Sequence, residues 1–125
     1  MSIALVPIGQ GPDDLRFFIQ ADGIHAGGIT VHSAKGGSFS YGIAIAPSMR
    51  RRGVASAALS LLFAQMRKAG YARAFVQVTP QNAASLALHR KLGFVQTTED
   101  AHAVTLVKML SSGSSQQTKM TSLQP

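Results

Sequence analysis

The chain is 125 residues long, 46% apolar and 14% charged, with a net charge of +7 and no cysteine. That length fits one domain with a buried core, and the composition excludes a disordered chain and a coiled coil. The lack of cysteine excludes disulfide scaffolds, thiolate nucleophiles and cysteine zinc sites, and no apolar run approaches the ~18 residues of a membrane span.

Met1 to Gly11 has a short apolar patch, Ile3 to Pro7, without a basic flank, so it does not read as a signal peptide. The expectation is a cytoplasmic protein. Gly9 to Asp14 reads as a loop. Arg16 to Gln20 and Ile24 to His32 flank Ala21-Asp22-Gly23, and Asp-Gly between apolar runs predicts a hairpin. Ser33 to Gly37 is a polar loop, and Phe39 to Ala46 is a strand stopped by Pro47. Val54 to Ala69 is a helix, with Val54, Ala58, Leu61, Leu62 and Gln65 at helical spacing and Gly70 as its stop. Tyr71 to Thr79 is a strand ended by Pro80. Asn82 to Leu92 is a helix, capped by Asn82 and stopped by Gly93. Phe94 to Thr98 and His102 to Leu110 form a closing hairpin around Glu99-Asp100. The domain is expected over residues 1–110. Ser111 to Pro125, rich in Ser, Gln and Thr, is expected to be a disordered tail without chemistry.

The acids are Asp13, Asp14, Asp22, Glu99 and Asp100, so Gly23 to Thr98 contains no carboxylate. The same stretch carries nine Lys and Arg residues, from Lys35 to Lys91. A field of one sign concentrates anionic ligands. The predicted partner is therefore a phosphorylated cofactor or nucleic acid. A carboxylate general base has to come from outside this segment or from a partner chain.

Two segments carry the predicted site. The strand Phe39–Ala46 ends in the loop Pro47-Ser48-Met49-Arg50-Arg51-Arg52-Gly53, which opens a helix. The first amides of that helix lack internal partners, and its dipole adds positive charge at the same place. Gly53 permits a sharp turn close to an anion, Ala55 and Ser56 keep the first turn small, and three arginines supply charge around it. On the second helix, Asn82, Ser85 and His89 fall within a sector of about 60°. One face thus carries a carboxamide, a hydroxyl and an imidazole.

These residues resemble the GNAT superfamily of acyl-CoA-dependent N-acetyltransferases. Its central motif, Arg or Gln, two residues, Gly, one residue, Gly or Ala, is matched by Arg50-Arg51-Arg52-Gly53-Val54-Ala55. The strand Ile43-Ala44-Ile45-Ala46-Pro47 precedes it. Asn82 and Leu88-His89-Arg90-Lys91-Leu92-Gly93-Phe94 follow, the latter similar to the family's Leu-Tyr-x-Lys-Leu-Gly-Phe. The resemblance spans roughly Arg16 to Leu110. It implies an α/β (α+β) fold with a mostly antiparallel sheet, one splayed parallel strand pair and flanking helices. The pair would be Phe39–Ala46 and Tyr71–Thr79. It implies acetyl-CoA as co-substrate, with pantetheine against backbone at Ile45 and Ala46 and pyrophosphate on amides from Arg51 to Ser56. Asn82 and Ser85 would contact the pantetheine side. A primary amine on a small molecule or peptide would attack the thioester directly, with no metal.

Two departures bear on mechanism. His89 stands where the family often has a Tyr that protonates the departing thiolate. A histidine has a pKa suited to that task, although its cationic neighbours and desolvation disfavour the charged form. The family's two helices between its first strand and the hairpin have no counterpart here. The acceptor side is then open, or completed by a second subunit in a homodimer. Ser40 and Tyr41 occupy the strand where many relatives carry a Glu base, leaving His25, His32, Tyr41 or water. The alternatives are a transferase for a longer acyl group, a basic nucleic-acid-binding module, and an acetyl-CoA-binding protein without turnover.

Overall fold

The computed structural model describes residues 1–10 and 14–110; the expected tail lies outside them. Seven strands form one sheet in the order β1-β2-β3-β4-β5-β7-β6. They are β1 (Ile3–Gln10), β2 (Asp14–Ala21), β3 (Ile24–Ala34), β4 (Ser38–Ile45), β5 (Arg73–Val78), β6 (Val95–Glu99) and β7 (Val104–Met109). Helix α1 (Val54–Lys68) joins β4 to β5, and α2 (Ala83–Lys91) joins β5 to β6. All strand pairs are antiparallel except β4 with β5.

The β2–β3 hairpin turns at Asp22 (φ 51) and Gly23 (φ 81). Two left-handed residues in succession match the twist of the flanking strands, which is why Asp-Gly is favoured there. The first strand is a correction. Gly9 and Gln10 belong to β1 and Asp14 to β2, not to a loop. Pro7 and Gly9 mask β1 in the sequence, yet an edge strand tolerates a proline because one row of its amides needs no partner. Between β1 and β2 only residues 11–13 intervene, so no helices separate the first strand from the hairpin.

Both helices lie on one side of the sheet. Tyr41 of β4 contacts Phe63 of α1 and His89 of α2, and Phe63 and His89 both meet Phe94. The core is built from Phe17, Ile19, Val31, Phe39, Val76 and Leu106 on that face. The face of α1 that packs on them is Val54, Ala58, Leu59, Leu62, Phe63 and Met66. Leu61 is 43% exposed and Gln65 is exposed, so the buried stripe is rotated from the one expected. Phe63 and Met66 bury more apolar surface than Gln65 could, and that selects the rotation. The opposite side carries no described helix, and Phe18, Val95 and Met109 remain exposed on it.

The parallel pair is short. Its register runs Ser38↔Arg73, Phe39↔Ala74 and Ser40↔Phe75, and then stops. Both strands continue past it, β4 to Ile45 and β5 to Val78. The sheet is therefore split by a wedge between Tyr41–Ile45 and Val76–Val78.

Candidate functional site

The wedge opens at the N-terminus of α1. A short 3-10 turn over Pro47–Met49 follows β4, and the loop to Gly53 is tightly wound, with Arg51 (φ 63) and Gly53 (φ 77) both left-handed. Gly53 is the N-cap and has no side chain to satisfy the helix amides. The first helical bond runs from the Ala57 amide to the Gly53 carbonyl, 3.1 Å. The amides of Val54, Ala55 and Ser56 are left without a helical acceptor. A Cβ built on Gly53 meets no atom within 4 Å. Backbone geometry, not crowding, calls for glycine there, and the space beside it is free for a ligand.

That space is a cavity of about 320 Å³. Its walls are Ile45 and Met49, the loop residues Arg50, Arg51 and Gly53, and the first turn Val54-Ala55-Ser56. Helix α2 closes it with Ala84, Leu88 and Lys91. A cation, a row of free amides and a helix dipole thus converge on one cradle. This donor set fits a diphosphate. Lys91 is not among the expected cofactor residues, although Ala84, Leu88 and Lys91 recur at helical spacing and mark a face of α2.

The other expected cofactor contacts divide. The Ile45 carbonyl accepts from Arg50 Nε at 3.1 Å. The Ala46 amide donates to the Ala26 carbonyl, and the Ala46 carbonyl accepts from Met49, both at 2.8 Å. Ala46 is therefore used by the fold, and it lines a groove on the other side of the sheet rather than the cradle. Because the Ala26–Ala46 bond sets the antiparallel alternation, Ile43 and Ile45 turn their backbone groups away from β3 and into the wedge. Arg52 is exposed and does not line the cradle. Asn82 caps α2, its Oδ1 accepting from the Ser85 amide at 3.1 Å. Asn82 and Ser85 lie off the cradle wall, because their face of α2 turns toward β4.

His89 is 3% exposed, the one buried polar side chain among the described residues. Its Nδ1 lies 2.8 Å from the Ser85 carbonyl and 3.3 Å from the Ser85 hydroxyl. A carbonyl only accepts, so Nδ1 carries the proton. Nε2 then accepts from the Tyr41 hydroxyl at 2.8 Å. Burial pushes the imidazole pKa below its ordinary value, partly opposed by the Ser85 carbonyl, and burial pushes the Tyr41 phenol up. The pair is uncharged at neutral pH. Tyr41 is the first β4 residue beyond the last parallel pair, so it stands at the apex of the wedge.

Of the residues expected as bases, Tyr41 stands at the wedge and the two histidines do not. His25 stands edge-on to Phe18, 5.1 Å between rings, on the helix-free side. His32 is exposed, in register with Ser40. Asp22 holds the Ser2 amide, and Asp100 accepts from the amides of His102 and Ala103, which keeps its carboxyl below the usual range. Glu99, at the end of β6, accepts from Gln96. No group of three or more His, Asp or Glu among the described residues is placed to hold a metal.

A family model described as the acetyltransferase (GNAT) family matches residues 6–94. The chain is similar to the ribosomal-protein-S18-alanine N-acetyltransferase from Escherichia coli, with 25% identity, 84% of this chain and 74% of that one covered, and a TM-score of 0.71. It shares its fold with the PaiA N-acetyltransferase from Thermoplasma acidophilum, solved with coenzyme A, at 19% identity, 78% and 61% coverage and a TM-score of 0.71. The IAA acetyltransferase from Bacillus cereus shares the fold at 14% identity, 86% and 99% coverage and a TM-score of 0.75. No curated protein sequence matches. The family model covers well over half of the chain, and its span takes in β4, the glycine loop and both helices: the chain belongs to the GNAT family of acetyltransferases.

Proposed function

We propose that this protein is an N-acetyltransferase that passes an acetyl group from acetyl-CoA directly to a primary amine. The observation that carries this is the wedge between β4 and β5 opening on the free amides of α1. The amides of Val54, Ala55 and Ser56, with Arg51 and Lys91 beside them, would hold the pyrophosphate. The backbone of Ile43 and Ile45 would hold the pantetheine arm, and Arg50 braces that strand end through the Ile45 carbonyl. Bound acetyl-CoA would supply the thioester that the amine attacks.

At the apex, the Tyr41 hydroxyl would turn its proton from His89 Nε2 to the departing thiolate, and His89, holding the phenol before that step, acts through Tyr41 as a positioning residue. The amine gives up one proton and the thiolate takes one, so the Tyr41–His89 pair ends as it began once solvent has carried the amine's proton back to it. Much of the acceleration comes from holding amine and thioester together, an effect of roughly 7–11 kcal/mol when the geometry is right.

An α-amine of a peptide is the acceptor this reading favours. The Escherichia coli relative is named for acting on the alanine of a ribosomal protein, and an acceptor side that no described helix covers would admit a polypeptide end. No helix among the described residues is long and apolar enough to cross a membrane, and we place the reaction in the cytoplasm. The test is release of CoA thiol from acetyl-CoA against a panel of small amines and peptides. Turnover saturable in acetyl-CoA is expected. Cofactor binding without thiol release from any amine would make the protein a non-catalytic acetyl-CoA binder.

A further inference from the structure

Resting on that transferase reading, we propose that the acceptor is a peptide α-amine followed by an acidic side chain, held by Arg16 in the groove on the helix-free side of the sheet. The groove encloses about 720 Å³ over β2, β3 and β4. It reaches Gly42 to Ile45, the stretch of β4 that edges the wedge, and Ala46 beyond it, and Ile45 lines both the groove and the cradle. No ladder joins β4 to β5 beyond Ser40 and Phe75. The wedge is therefore a passage through the sheet, with the cradle on the helix side and the groove on the other. An amine beside Ile45 in the groove meets the thioester from the face opposite the cradle.

The walls of the groove decide what it takes. Its floor is small, with Gly28 opposite Ala44 and Thr30 opposite Gly42. Gly42 has ordinary strand geometry, and a Cβ on it would meet nothing within 4 Å. Glycine there serves neither a turn nor a crowded contact; it leaves room for a main chain. Phe18, 43% exposed, forms an apolar shelf on which His25 stands. Arg16 is exposed, lines the groove, and makes no hydrogen bond or ion pair with any described residue. Among the described side chains, no carboxylate lines the groove. A carboxylate in the groove meets a guanidinium that no described residue engages.

The register sets the spacing. Arg16 faces Thr30, which faces Gly42, so Arg16 lies two strands from β4. Two inter-strand spacings are about 10 Å across, and Gly42 to Ile45 is about 10 Å along the strand, a diagonal of about 14 Å that about three residues of extended chain and the reach of the two side chains together span. An acid at the third or fourth position of the acceptor would reach Arg16 with the amine at the wedge. No described helix covers the groove, because β1 passes to β2 without one. An extended peptide gains contacts along its length.

The test uses two hexapeptides with free N-termini that differ only in carrying Glu or Lys at the third and fourth positions. Thiol release is measured with the wild type, Arg16→Gln and Arg16→Glu, and acetyl-CoA affinity is measured by calorimetry for each. The wild type is expected to prefer the Glu peptide by roughly tenfold in kcat/KM. Arg16→Gln should erase the preference and Arg16→Glu invert it, with acetyl-CoA affinity unchanged. A preference that survives both substitutions, a wild-type preference for the Lys peptide, or turnover of small amines with neither peptide accepted would overturn the inference while leaving the transferase reading standing. Failure of the wild type to bind acetyl-CoA would remove that reading and this inference with it.

Discussion

The Tyr41 hydroxyl lies 2.8 Å from His89 Nε2, which joins the first unpaired residue of β4 to the buried imidazole of α2. Because the other ring nitrogen is committed to the Ser85 carbonyl, the phenol is the donor in this contact. Tyr41→Phe removes that donor and leaves a buried nitrogen without a partner. The expected destabilisation is about 1–3 kcal/mol, visible as a lower Tm. If the hydroxyl also serves the departing thiolate, kcat of the folded enzyme falls while KM for acetyl-CoA barely moves. A purely structural hydroxyl would lower Tm and leave kcat intact, and that result would take Tyr41 out of the chemistry.

Burial makes the same imidazole a source of pH-dependent stability. The folded-state pKa of His89 lies below 6.5, so the unfolded chain binds a proton more readily than the native one. The contribution of neutral His89 is fully present above that value and is lost as pH falls below it. Thermal melts from about pH 8 to about pH 5 should show Tm falling over the acid half of the range, above the region where most carboxylates titrate. His89→Gln should flatten that slope. An equally steep slope in the variant would assign the pH dependence to other groups.

The cradle separates two cations that look alike in the sequence. Lys91 lines it and Arg52 does not. Lys91→Glu should weaken acetyl-CoA binding by roughly tenfold at low salt, with less effect as ionic strength rises. Arg52→Glu should weaken it much less, through long-range charge alone. Equal losses for the two variants would show that the phosphates are held by the diffuse basic field and not by the wall that α2 provides.

Local chemistry explains which parts of this site could be read in advance. Gly53 before a small-residue helix start and Asp22-Gly23 between apolar runs state backbone conformations that few other residues adopt, so the loop and the hairpin were legible. The edge strand β1 was not, because Pro7 and Gly9 interrupt a pattern that edge pairing does not require to be continuous. The helical face of Asn82, Ser85 and His89 was found, but its counterpart was not: Tyr41 lies 48 positions before His89, and only the packing of α2 on β4 brings them together. Ala46 was expected to offer its backbone to a cofactor, yet the bond to Ala26 consumes its amide. Such competition between a sheet and a ligand for one amide is decided by register, which no local motif encodes.

The central claim is that acetyl-CoA sits in the wedge with its phosphates on the α1 amides. Calorimetric titration of acetyl-CoA into the wild type and Gly53→Glu tests it most directly. Glutamate at φ 77 is strained and drives a carboxylate into the cradle. The account predicts one saturable site per wild-type chain and a loss of at least about tenfold in the variant, the scale of one charge-assisted hydrogen bond. Absent binding by the wild type, or equal affinity in a folded Gly53→Glu, would contradict it.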